Sequence, residues 1–384
     1  MSDVFVFAGE ASGDSHGAHL IREIKKLAPH LSIEGVGGPK MRTQGIKTLI
    51  KMEAFQVMGF SDVIRHLPCL YQNFYLVLNH LLKTSPSACV LIDYPGFNLR
   101  LAKALKKRGF KGKIIHYICP SVWAWGKGRI KTLSNYVDEL FTIFPFEKAL
   151  FSEEKLTVSY IGNPVVEAIN HTPLEPHWRE LSGLPASSKK LIALFPGSRQ
   201  GEIERNLPLQ LKALELLHEQ LPHAHFALSI TSPKLQATIA SILSTSNLKI
   251  HLVPSTFNYE LMREATSAIA KSGTITLELA LHKLPTTVTY PLSTLNRLIA
   301  KYLIRLRLPH YCIVNILKGE EIFPELIEKR CDPCTLAEEA LRLETDLDAR
   351  QKVLQGCQDV IDQLGPSEAS HIAAKKVLSQ CGIN

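Results

Sequence analysis

Long uninterrupted hydrophobic runs are missing from this chain of 384 residues. Nowhere do the roughly eighteen consecutive apolar residues of a membrane-spanning helix occur. The opening stretch MSDVFVFAGE has no basic head and passes directly into an alternating strand pattern, so a secretory signal is not expected and a cytoplasmic protein is. Cysteine is sparse, with eight scattered residues such as Cys89 and Cys119 in apolar surroundings. That usage points to reduced core thiols rather than a disulfide frame. The single C-x-x-C, Cys331 to Cys334, lacks a second pair and a nearby histidine, so no metal site is expected there. A G-x-G-x-x-G turn after the first strand, a D-x-D pair at a strand end, internal repeats and low-complexity tracts are absent too. No metal and no cofactor are expected.

What is there describes a globular chain: 45% of residues are hydrophobic, and the length suits two or three domains. Lys and Arg outnumber Asp and Glu by 44 to 36, a formal charge of +8 that suits an anionic partner. A sugar nucleotide, an anionic lipid and a nucleic acid all meet that description. Nucleic-acid binding needs a basic stripe interleaved with aromatics, whereas these cations are dispersed along predicted helices. No nucleic-acid partner is expected.

The most informative stretch is LIALFPGSRQGEIERNLP, from Leu191 to Pro208. An apolar strand delivers Gly197 and Ser198 to a helix N-terminus, where backbone N–H groups and the helix dipole favour an anion. Arg199 adds a guanidinium fork suited to two phosphate oxygens. The alternative is an ordinary strand, turn and helix with a solvated arginine. A second small-residue turn, Ser272, Gly273 and Thr274, also feeds a helix, and Glu278 follows one turn on as an acceptor for a ribose diol. Two such turns and a diol acceptor in one α/β unit favour nucleotide binding.

The first half has the same alternation of strand and helix. Val4 to Ala8 is a strand and GEASGD, Gly9 to Asp14, a small-residue loop; its carboxylates Glu10 and Asp14 suit sugar hydroxyls, or else cap the following helix. Ser12 and Gly13 share this loop and the same expected sugar site. Ala88 to Ile92 is a buried-type strand that puts Asp93 at its carboxyl end, where ligands gather in open α/β sheets. Asp93 is the candidate base, with Asn98 nearby as an acceptor contact. In PSVWAWGKGR, Ser121 and Trp123 belong to the expected acceptor site, although Trp123 and Trp125 also read as loop anchors.

Two segments suit a lipid. Apolar residues recur at helical spacing from Leu67 to Leu81, and Phe55, Val57, Met58, Phe60 and Phe74 widen the face, as core or as a receiver of acyl chains. STLNRLIAKYLIRLRL spaces Arg297, Lys301 and Arg305 by four, a basic amphipathic helix that lies on an anionic bilayer or packs inward. The proline-rich stretch Thr172 to Pro185 is the expected linker. Two final helices are expected, Thr335 to Gln363 and Ser367 to Cys381.

The ordered set GEASGD, GVGGPKM, VMGF, IDYPGFN, PSVWAW, FPFEK, PGSR and SGTITLE resembles the lipid-A-disaccharide synthase family. The resemblance implies a glycosyltransferase B fold: two Rossmann-like domains facing a cleft, 1–171 completed by helices in 345–384, and 172–344. It implies inverting, metal-free transfer of 2,3-diacylglucosamine from UDP-2,3-diacylglucosamine to the 6-hydroxyl of 2,3-diacylglucosamine 1-phosphate. The enzyme would be peripheral on the inner face of the inner membrane. It would tend to a homodimer with exchanged C-terminal segments. Carried over by position, the base is Asp93, the diphosphate arginine is Arg199, and Asn315 is a nucleotide contact. Gly96 stands where the family pattern has an aspartate, and Cys119 where it has a serine. An epimerase of UDP-N-acetylglucosamine or a peptidoglycan-precursor transferase on the same fold is the nearest alternative.

Overall fold

The computed structural model describes residues 3–55, 60–124, 126, 128–186, 190–291, 309–365 and 368–383, with 60–67 and 329 described by backbone alone. They divide into two compact units, Met1–Glu167 with Pro366–Asn384, and Ala168–Gly365.

The first unit is a seven-stranded parallel sheet. Its strands are β1 (Val4–Ala8), β2 (Ile33–Gly37), β3 (Lys47–Lys51), β4 (Ala88–Ile92), β5 (Lys113–Tyr117), β6 (Glu139–Thr142) and β7 (Thr157–Tyr160), in the order β3-β2-β1-β4-β5-β6-β7. Helices cover both faces, so the central strands are buried on two sides and read as apolar runs. Alternate residues of β1 serve opposite cores. Val4, Val6 and Ala8 join Leu20, Ile21 and Ile24 of α1 (Ala11–Leu27) and Ala373 and Val377 of the helix Ala369–Gln380. Phe5 and Phe7 join Val77, Leu78 and Leu81 of α3 (Phe60–Thr84) and Leu101 and Leu105 of α4 (Pro95–Lys107). A short α2 (Pro39–Thr43) follows β2. Phe55, expected at a lipid surface, is instead 1% exposed in this second core, edge-on to Phe7 and Phe97. Burial of so large a ring outweighs any gain from leaving it for a bilayer.

The second unit repeats the plan with six parallel strands: β8 (Leu191–Phe195), β9 (His225–Ile230), β10 (Ile250–Pro254), β11 (Ser267–Lys271), β12 (Thr286–Tyr290) and β13 (Glu325–Ile327). Their order is β10-β9-β8-β11-β12-β13. In each sheet the order reverses beside the first strand, between β1 and β4 and between β8 and β11, which leaves a crevice at their carboxyl ends. Both Rossmann-like units follow the α/β expectation.

The tail is divided differently from the sequence expectation. The predicted helix Thr335 to Gln363 is two helices, Pro333–Thr345 and Leu347–Leu364, because Asp346 ends one and accepts the amides of Asp348 and Ala349, each at 3.0 Å, to start the next. The helix Leu347–Leu364 packs within the second unit, against Thr274–Leu281, Ile313–Lys318 and Pro333–Thr345. The helix Ala369–Gln380 packs on α1 in the first unit. Among the described residues, no helix is long and apolar enough to cross a membrane.

Candidate active site

In the first unit Asp93 stands at the carboxyl end of β4, beside the sheet's switch point. It and Tyr94 are consecutive non-glycine residues in the left-handed region, with φ of 44° and 46°. Such a pair persists only where its surroundings over-determine it. Here the Asp93 amide donates to the Tyr117 carbonyl at 2.9 Å, the Tyr94 hydroxyl donates to the Phe55 carbonyl at 3.2 Å, and Asn98 closes the turn. The Asn98 amide nitrogen donates to the carbonyls of Ile92 at 3.1 Å and Asp93 at 2.7 Å. The Tyr94 ring lies so close to the loop after β1 that a Cβ on Gly9 would sit 2.7 Å from it. Burial raises the Asp93 carboxyl above the usual range, the negative charge of Glu10 adds to that, and the Tyr94 amide partly opposes it. A partly buried carboxylate with raised basicity is what proton abstraction from a hydroxyl uses.

Several expected sugar contacts have other work. Asp14 is 2% exposed, and its carboxylate accepts the amides of Gly38 at 2.7 Å, Lys40 at 2.9 Å and Met41 at 3.0 Å. It caps neither a sugar nor its own helix: it caps α2, whose first amides would otherwise lack acceptors. Asn98 is fully buried and holds backbone rather than ligand. Gly13 is buried where a Cβ would lie 3.4 Å from Ala8, which lets α1 pack close to β1. Glu10, Ser12 and Ser121 are exposed. Trp123 is half-buried, edge-on to Phe146 and beside Glu147, which fits the loop-anchor reading; Trp125 lies outside the described residues. Glu147 itself, 1% exposed, accepts the amides of Ile143 and Phe144, and burial pushes its carboxyl up to about 7.

In the second unit a cavity of about 290 Å³ opens at the carboxyl ends of β8, β9 and β11. Gly197, Ser198, Arg199, Gly273 and Thr274, drawn from both predicted turns, line it together with Ser229, Thr231, Asn258 and Lys271. Gly197 has φ of 125°, and a Cβ there would strike the Glu202 Cβ at 2.7 Å, so the turn needs glycine. The turn's amides are already engaged. The Glu202 carboxylate accepts from Ser198 at 3.0 Å and Arg199 at 3.4 Å, and pairs with the Lys271 ammonium at 3.1 Å. Burial works to raise this carboxyl, but the Ser198 amide, Lys271 and the Arg199 amide outweigh it and hold it below the usual range. Glu202 thus occupies the amides that the sequence offers to a phosphate. The helix Gln200–Gln220 carries it there as an acidic residue of its first turn.

Glu278 is half-buried, and burial pushes its carboxyl up to about 7. It raises the neighbouring Tyr259 hydroxyl, second to burial. Two expected ligands are diverted. Ser272 donates its amide to the Thr289 carbonyl at 3.0 Å and its hydroxyl to the Tyr311 carbonyl at 3.3 Å, so neither faces an anion. Asn315 is fully buried, donates to the Phe323 carbonyl and Glu325, and accepts the amides of Ile322 and Phe323, each at 2.9 Å. All four of its hydrogen-bonding positions are used.

Val57, Met58, Arg297, Lys301 and Arg305 lie outside the described residues, as does the side chain of Phe60. Phe74 is partly buried against the second core and lines a groove of about 530 Å³ between α3 and α4. Lys271, Glu202, Ser229 and Asn258 were not expected. Lys271 carries a legible signal, a cation at the carboxyl end of a buried strand; the rest depend on tertiary contact.

The family model for lipid-A-disaccharide synthetase matches residues 4–377. Lipid-A-disaccharide synthase of Geobacter sulfurreducens is 35% identical over 379 residues, 99% of this chain and 97% of that protein. The Chlamydia trachomatis serovar D protein of that name is 40% identical over 368 residues, 95% of this chain and 60% of its own length. The chain therefore spans about three fifths of such chlamydial relatives. Among solved structures, UDP-N-acetylglucosamine 2-epimerase of Neisseria meningitidis bound to UDP-GlcNAc is similar with a TM-score of 0.64, at 13% identity, covering 99% of this chain and 100% of that one. The calicheamicin glycosyltransferase CalG4 is similar with a TM-score of 0.59 at 13% identity, covering 99% and 98%. At these identities the likeness concerns fold alone.

Proposed function

The chain belongs to the lipid-A-disaccharide synthase family, and from that premise we propose that it transfers 2,3-diacylglucosamine from UDP-2,3-diacylglucosamine to the 6-hydroxyl of 2,3-diacylglucosamine 1-phosphate. The observation that carries this reading is the cavity at the switch point of the second sheet. There Ser198 and Arg199 from one turn, Gly273 and Thr274 from the other, and the Lys271 ammonium converge on a volume suited to a phosphate-bearing ligand.

The UDP moiety occupies that cavity. Arg199 and Lys271 carry the charge that grows on the β-phosphate as the bond from the anomeric carbon to the leaving oxygen breaks. Glu278 accepts hydrogen bonds from the ribose hydroxyls. Asp93 takes the proton of the acceptor 6-hydroxyl, whose oxygen forms the new bond to the anomeric carbon with inversion and gives the β-1,6 linkage. Electrostatic stabilisation by Arg199, Lys271 and the N-terminus of the helix Thr274–Leu281 supplies the role a metal plays elsewhere. The basic segment 293–308 is proposed to bring the protein to an anionic bilayer surface.

The test is direct. Pure protein incubated with both sugar lipids is expected to yield disaccharide 1-phosphate and UDP in equal amounts. Release of UDP without disaccharide, or epimerised UDP-sugar in its place, overturns the reading in favour of another enzyme on this fold.

A further inference from the structure

The groove between α3 and α4 is lined by Leu70, Tyr71, Phe74 and Tyr75 on one side and Tyr94, Phe97 and Arg100 on the other, with Gly96 in its wall. Its aromatic lining is built into the fold: Phe97 stacks on Phe7 with centroids 4.7 Å apart, and Phe74 meets Phe97 edge-on at 5.4 Å. Tyr71 nevertheless remains 64% exposed at the rim. Tyr94, the residue directly after Asp93, lines the groove, so the groove adjoins the candidate base in the chain. Gly96 is exposed, and a Cβ built on it meets no atom within 4 Å. Any side chain at position 96 has open space before it. One turn further along α4, Arg100 places an exposed cation at the edge of an otherwise apolar surface.

We propose that this groove binds an acyl chain of the acceptor rather than of the UDP-linked donor, and that Gly96 sets how long a chain it admits. The proposal rests on the reading of Asp93 as the base that meets the acceptor. A group adjoining Tyr94 belongs to the molecule whose hydroxyl that base deprotonates. The occupant is an anionic amphiphile: the apolar walls match a hydrocarbon chain and Arg100 matches a phosphate on the same molecule. Length selection follows because each methylene excluded from an apolar pocket changes binding by a definite factor.

The experiment compares the full chain with its Gly96→Leu variant, using acceptors that form a ladder of acyl lengths and, separately, donors of the same ladder. Glycine gives way to a better helix former in the first turn of α4, so the fold is retained. The variant is expected to shift the kcat/KM ratio of long over short acceptors by about tenfold toward the short ones, leaving the donor ratio unmoved. Unchanged acceptor ratios, or a shift confined to donors, overturn the proposal. Tyr71→Ser supplies a second variant at an exposed rim position; it is expected to flatten the acceptor ladder, and an unaltered ladder counts against the groove. Equilibrium binding of acylated glucosamine 1-phosphate to the wild-type and Gly96→Leu proteins separates the two readings. If no disaccharide forms, the functional reading fails. The groove stands or falls by whether Gly96→Leu weakens binding of the longer chain selectively.

Discussion

The Asn98 side chain, sealed from solvent, donates to the Asp93 carbonyl at 2.7 Å, so a buried amide holds the backbone of the candidate base. Its second bond, to Ile92 at 3.1 Å, pins the end of β4 as well. Asn98→Ala is expected to lower kcat by about one to two orders of magnitude while leaving UDP affinity unchanged, since a small displacement of a reacting group is costly. The loss of two hydrogen bonds to buried carbonyls should also cost about 1–3 kcal/mol of stability. Steady-state kinetics beside a denaturant titration checks both; unaltered kcat would make Asn98 a structural residue only.

Asp93→Asn keeps the shape of the turn and removes the base. Turnover should vanish, and UDP should bind within a few fold of wild type. Because burial and the Glu10 charge raise the Asp93 carboxyl, the acid limb of kcat/KM in the wild type should fall above the pH of an ordinary aspartate. Glu10→Gln should move that limb toward lower pH, which a rate profile measures.

Glu278 offers a proton signature. Its carboxyl is raised to about 7, so near neutral pH it is partly protonated in the empty site. Hydrogen bonds donated by a ribose diol favour the charged form, so UDP binding should release protons beyond those from UDP itself. Calorimetry in buffers of different ionisation enthalpy reads the release, and Glu278→Gln should remove that increment and weaken UDP by about tenfold. The same raised value has a stability sign. Between about 4.5 and 7 the folded protein holds a proton that the unfolded chain has given up, so Glu278 opposes folding increasingly as pH rises through that window. Glu278→Gln should flatten the fall in Tm across it.

Asn315 and Asp14 make the opposite prediction. Each satisfies backbone amides rather than a ligand, so Asn315→Ala should lower Tm by several degrees and leave the UDP affinity of the folded protein unchanged. A selective loss of UDP binding would return Asn315 to the nucleotide site. Asp14→Ala, which strips three amides of their acceptor, should behave the same way toward UDP.

Legibility followed burial. β1, β4 and β8 match their expected ranges because strands covered on both faces are continuous apolar runs. β3, KTLIK, has a lysine at each end of an edge strand, and β13 is three residues long, so neither shows a clear period. The turns at Gly197 and Gly273 were legible because glycine beside a strand end has few other uses. Asp14 and Asn315 misled for a physical reason: loops that need buried acceptors recruit the same residue types that ligands do. The Glu202–Lys271 pair was invisible because its members are 69 residues apart and meet only through the sheet.

That pair bears on how ionic strength acts at the nucleotide cavity. With no ligand bound, the ammonium of Lys271 already has a counter-ion in Glu202, so arrival of a diphosphate exchanges one partner for another instead of filling an unmet positive field. Added salt should therefore weaken UDP less steeply than a tally of nearby cations implies. Severing the exchange with Glu202→Gln should tighten UDP several fold and steepen its salt dependence together.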